Sequence, residues 1–212
     1  APAGTEGVLF CVWETRVQDF ESIFKATGHD PKDMWSLGSD GGSAQKMAGY
    51  WKQRGHTWKN PGFLQGPTYP VCGISWDDAT AFCKWLTEKE HKAGSLAKNK
   101  EYRLSTDAEW SRAVGTGKYP WGNDWPPPQG AGNYAGKDAK DENWPEVFAT
   151  IKDYNDGHAR TAPVGSFRAN KYGLFDMGGN VWEWCEDWYD RDQAFRVLRG
   201  GAWDGDDPAA LI

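Results

Sequence analysis

The sequence predicts an α+β domain in which loops outweigh regular elements. Two observations carry this. Three segments have a capped helix start followed by apolar residues at helical spacing, and they are separated by stretches with no period. The 26 Gly and 12 Pro call for many turns, while 14 Trp supply bulky packing where regular elements are few. There is no internal repeat and no Pro/Ser-rich linker, so residues 1–212 read as one domain.

Val8 to Trp13 is expected as a first strand. Thr15-Arg16-Val17-Gln18 has the form of a capping box, a hydroxyl and an amide that satisfy orphan backbone donors. Val17, Phe20, Ile23 and Phe24 then recur at helical spacing up to Gly28, the expected stop. From Asp30 to Thr68 the pattern dissolves into a long ordered loop. Tyr69 to Ser75 is expected as a short strand, and Ser75-Trp76-Asp77-Asp78 starts a second helix. Trp76, Ala79, Cys83 and Leu86 share a face of that helix, and the charged residues after Leu86 extend it as a solvated tail. Thr106-Asp107-Ala108-Glu109 starts a third, with Trp110, Ala113 and Val114 as its buried stripe. Tyr119 to Gly122 and Trp125 to Pro128 carry too much Pro and Gly for helix interior. Short strands are expected at Pro163–Phe167, Val181–Asp187 and Phe195–Arg199, giving two main helices on small twisted sheets.

The formal net charge of −6 argues against a broad nucleic-acid or anionic-membrane surface, since both partners want clustered Lys and Arg. No apolar run approaches the roughly 20 residues that span a bilayer. Cys11, Cys72, Cys83 and Cys185 form no CxxC pair and no zinc-ligand spacing, so buried free thiols are expected. The four histidines are scattered, with no i, i+4 pair.

Two turns are rich in oxygen donors. In Asp176 to Trp184 two acids, Asp176 and Glu183, bracket a Gly-Gly turn that can aim carboxylates and backbone carbonyls at one centre, as Ca²⁺ requires. The alternative is a plain hairpin turn whose acids hold backbone donors. A second, split candidate joins Asn133 to Asp156 in Asn155-Asp156-Gly157. Arg199-Gly200-Gly201 marks either a close backbone approach or a strand end. Asp204, Asp206 and Asp207 read as a solvated acidic cluster.

These segments resemble, in order, the motifs of the formylglycine-generating-enzyme (sulfatase-modifying factor) family. The resemblance rests on Val12 to Val17, Pro70 to Trp76 with Ala81 to Leu86, Tyr102 to Trp110, and Tyr119 to Gly122 followed by Asn133. It rests further on Tyr172 to Trp184 and Val197 to Trp203. It implies a variant of the C-type lectin fold. It also implies two structural calcium sites: Asp176 and Glu183 side chains with Gly179 and Val181 carbonyls, and Asn133 and Asp156 side chains with Tyr134 and His158 carbonyls.

The same resemblance exposes a departure. The family's enzymes oxidise a substrate cysteine to formylglycine with oxygen and copper held by a cysteine pair, and soft thiolates suit Cu(I). Aligned here, those positions are Gly205 and Ala210. The family's last strand, which can pair its cysteine with the position of Cys83, is also missing. Either the fold ends differently or the chain is a piece of a longer product. A further branch of the family makes sulfoxides on an iron held by added histidines, which find no counterpart here. The expectation is a non-catalytic module that binds a protein or small ligand, like accessory domains or variable proteins of diversity-generating retroelements. Its ligand surface would include Trp203, Asp204, Asp206 and Asp207, with Trp182 and Arg199. The alternatives are a copper-dependent formylglycine-generating oxidase and a regulatory domain of a larger bacterial protein, such as one fused to a kinase. Bacterial cytoplasm and cell surface both remain open as locations.

Overall fold

A computed structural model describes residues 4–5, 7–31, 57–140, 149–209 and 211. The first helix, α1, runs Val17–Thr27. Arg16 caps it, not Thr15. The Asp19 carboxylate accepts from the Arg16 backbone N–H at 3.3 Å and from its guanidinium at 2.8 and 3.0 Å. An acid three residues into the helix thus replaces the expected Thr–Gln box. Thr15 is used across the chain: its carbonyl accepts from Val71 N–H at 2.9 Å, and Val17 N–H donates to Tyr69 at 2.9 Å. Gly28, at φ 74°, closes the helix with its N–H on Phe24.

The second helix, α2, spans Trp76–Ala93, and the third, α3, spans Asp107–Val114. Both have the reciprocal caps that the sequence predicts, Ser75 with Asp78 and Thr106 with Glu109. A 3₁₀ turn follows at Lys137–Ala139. Strand β1 (Glu183–Trp188) pairs antiparallel with β2 (Arg196–Arg199). Glu183 stands opposite Arg199 and Trp184 opposite Leu198, and the register shifts before Trp188 meets Arg196.

Among the described residues this hairpin is the one sheet. The other expected strands are corrected. Val8–Trp13 is irregular and is tied to the body through Val12, whose carbonyl accepts from Phe175. Tyr69–Ser75 makes a single bridge, Pro70 to Arg16, and Tyr69 N–H turns back to the Gly66 carbonyl instead of continuing a ladder. Pro163–Phe167 is a turn, with Ser166 N–H on the Pro163 carbonyl. Of the expected Asp30–Thr68 loop, residues 32–56 lie outside the described residues. The described part folds Thr57 and Asn60 onto each other and buries Trp58.

Among the described residues three apolar clusters hold these parts. Phe20 and Ile23 of α1 pack with Trp58 and Val71, joined by Phe82 and Trp85 of α2. Trp110 of α3 packs with Cys185 and Val197 of the hairpin. Tyr119, Tyr134, Ile151, Tyr154 and Leu211 fill the region between the loops. The expected picture of helices on a sheet therefore holds for α3, while α1 and α2 pack on each other.

Candidate cation sites and an adjoining aromatic cleft

The turn before β1 is built for close packing. A side chain at Gly179 (φ +81°) would overlap the Asn133 carbonyl, so only glycine fits. Gly179 N–H donates to Gly200, Asn180 N–H to Asn133 at 2.8 Å, and Trp203 N–H to Asn180 at 2.9 Å. Asp176 and Asn180 adopt left-handed φ values of 56° and 61°, which Asp and Asn tolerate better than most residues.

Three carboxylates converge on this turn. Asp176 is buried; one oxygen accepts from Gly165 N–H at 2.6 Å and the other, Oδ1, has no partner. Glu183 accepts from the Trp110 indole N–H, and burial, aided by the charge of Asp176, pushes its carboxyl up to about 7. Glu14, also buried, accepts from Asn180 Nδ2 at 2.7 Å and from Val181 N–H at 3.2 Å. Burial and then the charges of Asp176 and Glu183 hold the Glu14 carboxyl well above the ordinary range, against both hydrogen bonds. The partners described for all three are neutral N–H donors.

The second expected site lies on the other side of Asn180. Asn133 is fully buried; its Nδ2 donates to the Arg160 carbonyl at 2.8 Å and to Asn180 Oδ1 at 3.1 Å, while its Oδ1 has no partner. Asp156 accepts from Tyr134 N–H at 2.8 Å and His158 N–H at 2.9 Å. Burial lifts its carboxyl to about 7, and nearby Asp138 adds to the rise. Asp138 accepts from Gly157 N–H and also leaves one buried oxygen unpartnered. The Tyr134 carbonyl accepts from Gly136 N–H at 2.7 Å, one of the two lone pairs it can offer.

Among the described residues no three His, Cys, Asp or Glu side chains gather closely enough to hold a metal by themselves. The expected sets draw half their oxygens from backbone carbonyls. The unpartnered Oδ1 atoms of Asp176 and Asn133 and the uncompensated carboxylates suit a hard cation. Copper finds no such fit. All four cysteines are free, and burial pushes the thiols of Cys72 and Cys185 up to about 12 and Cys83 to about 11. Only Cys185 is fully buried, and Cys11 is exposed, which corrects the expectation of buried thiols. Gly205 is held by backbone bonds to Ala202 and Ala135, and Ala210 lies outside the described residues.

Beside the first site opens a cleft of about 1040 Å³ whose walls include Trp13, Glu14, Trp182, Glu183, Trp203 and Asp204. Of the expected ligand-binding residues, Trp182, Trp203 and Asp204 therefore share one cavity. Trp203 also meets Phe63 and lies 4.9 Å from the Arg160 guanidinium. Burial raises the Asp204 carboxyl to about 6, Asp206 adds to this, and Arg160 opposes it. Arg199 is placed differently: it binds Asp107 at 2.5 and 2.6 Å and joins the hairpin to α3. Asp206 and Asp207 lie outside the cleft walls, and Asp207 accepts from Ala209 N–H at 2.8 Å.

Glu14, Asn180 and Asp138 were not singled out from the sequence. Asn180 sits between two expected ligands, but its bond to Glu14, which follows the apolar run Val8–Trp13, appears only once the loops are folded together.

With this geometry in place, the chain belongs to the Sulfatase-modifying factor enzyme 1-like domain family, whose model matches residues 11–211. It is 32% identical to the "Formylglycine-generating enzyme" of Streptomyces coelicolor over 92% of this chain and 67% of that protein. It is 33% identical to the "Inactive C-alpha-formylglycine-generating enzyme 2" of Bos taurus over 69% of this chain and 44% of that one. Against the Thermomonospora curvata and Bos taurus formylglycine-generating enzymes it spans only 41% and 37% of their lengths. Two solved structures share the fold: PvdO from Pseudomonas aeruginosa (TM-score 0.58, 22% identity, 92% of this chain and 68% of that one) and Treponema denticola variable protein 1 (0.57, 20%, 93% and 73%). No described helix is long and apolar enough to cross a membrane.

Proposed function

We propose that this chain is a non-catalytic binding module on a calcium-stabilised frame, a variant of the C-type lectin fold. The observation that carries the first half is Gly205 at a position where family oxidases hold copper, with no thiol pair to replace it. The bovine relative named inactive supports the same reading. The cleft is the binding surface. Its Trp walls suit apolar and cationic groups, and Asp204 adds an acid to the lining beside Trp203. The ligand is a protein side chain or small molecule with an apolar body, its positive group set against Trp203 and Asp204 and away from Lys100 and Arg103, which line the same cleft.

Calcium is the structural half. Asp176 and Glu183 with the Gly179 and Val181 carbonyls would hold one ion. Asn133 and Asp156 with the Tyr134 and His158 carbonyls would hold the other. Each ion would neutralise buried carboxylate charge and pin a loop, with no part in chemistry. Two further readings have specific support. The 32% identity to the Streptomyces coelicolor enzyme keeps a copper-dependent formylglycine-generating oxidase as the alternative. A 31% identity to "Serine/threonine-protein kinase pkn1" of Chlamydia caviae, over 68% of this chain and 20% of that one, favours a domain within a larger signalling protein. Metal analysis of the purified protein tests the structural half. Two calcium ions per chain are expected, and a calcium-free protein whose melting is indifferent to added calcium would overturn it.

A further inference from the structure

We propose that Asn180 couples the two cation sites into one unit, with Glu14 as its anchor. The inference rests on the calcium reading above. Asn180 is fully buried and contributes bonds in both directions. It lies between Gly179 and Val181, whose carbonyls face the first ion in that reading. Its backbone N–H donates to the Asn133 carbonyl at 2.8 Å, and its Oδ1 accepts from Asn133 Nδ2 at 3.1 Å. With Nδ2 committed to Asn180 and to Arg160, the Asn133 amide cannot rotate, and its unpartnered Oδ1 is left as the atom offered to the second ion.

The anchor acts from the first-site side. Glu14 holds Asn180 Nδ2 through one oxygen and Val181 N–H through the other. It thereby fixes the side chain that reaches Asn133 and the peptide next to an expected carbonyl ligand. Gly179 packs against the Asn133 carbonyl with no room for a side chain, so neither loop shifts without the other. Ala162 closes the junction by donating to Asn180 Oδ1 at 2.8 Å. An ion at either site restrains Asn180 and so lowers the ordering cost at the other, which is positive coupling between two binding sites. Asn180 touches neither ion in this account; it is a positioning residue.

The test uses Tb³⁺ as the probe: the Trp110 indole bonds to Glu183 and sensitises an ion at the first site, and the part of the luminescence that Trp110→Phe removes assigns that site, since Tyr134 and Trp121 sensitise an ion at the second. Asp156→Asn, which removes a carboxylate from the second site, should weaken first-site Tb³⁺ affinity about tenfold in the otherwise native chain. In an Asn180→Ala background the same change should shift it by less than about twofold. Asn180→Gly, which keeps the backbone bonds and carries no strain at the left-handed φ of 61°, replaces Asn180→Ala if that variant fails to fold. Two ions that bind independently in the native chain would overturn the coupling while leaving both cation sites standing. An absence of sensitised luminescence and of calcium binding heat would overturn the sites and the coupling together.

Discussion

Gly179 and Gly28 both have left-handed φ, but their surroundings differ. A Cβ at Gly28 meets nothing within 4 Å, whereas one at Gly179 overlaps the Asn133 carbonyl. Gly28→Ala should therefore cost about 1–2 kcal/mol, the strain of the conformation alone. Gly179→Ala should cost more, about 3 kcal/mol, and should loosen both candidate cation loops. Denaturant unfolding of the two variants checks this, and equal losses would mean that the loops are not in contact as described. The residue scale is also where the sequence was least legible. Asp176, Glu183, Asn133 and Asp156 were visible as oxygen donors in turns. Glu14 was not, because nothing local marks a glutamate that is buried by residues 166 and 167 positions away. Arg199, offered for the ligand surface by resemblance, is held by Asp107 against α3, a partner that its own Gly-Gly step does not indicate.

At the scale of elements, capping decided what could be read. Ser75 with Asp78 and Thr106 with Glu109 are local signals, and α2 and α3 start where they predict. The expected strands failed at Val8, Tyr69 and Pro163 because a strand needs a partner in register, which a short apolar run does not specify. The cap of α3 offers a pH test. Glu109 accepts from the Arg103 guanidinium at 2.7 and 2.8 Å and from Thr106 N–H at 2.8 Å, and its carboxyl is lowered to about 2, Arg103 being the largest cause. A lowered carboxylate stabilises the fold above its ordinary value near 4.5 and loses that contribution as pH falls towards about 2. Glu109→Gln should cost about 1–2 kcal/mol at neutral pH, allowing for solvent screening around half-exposed Arg103. The gap between variant and native protein should close as pH falls through that window. A gap independent of pH would show that the cap, not the ion pair, carries the effect.

Across the whole molecule, loops stay in place through buried aromatics and, in the proposed reading, through bound calcium. If calcium binds only the folded chain, stability should rise by about 2.7 kcal/mol per site at a hundredfold excess over Kd. A chelator should lower the melting temperature, and added calcium should restore it. The fold class and the family were legible because six motifs recur in order along the chain. The cleft was not, since its walls combine Trp13, Trp182 and Trp203 from separate segments. The claim that this frame binds without catalysing is tested most directly by mass spectrometry. A sulfatase-type cysteine peptide would be incubated with the calcium-loaded protein, copper and oxygen. The account predicts that the cysteine is recovered unchanged. Conversion to formylglycine would contradict it and would mean that oxidation proceeds without the thiol pair that Gly205 and Ala210 replace.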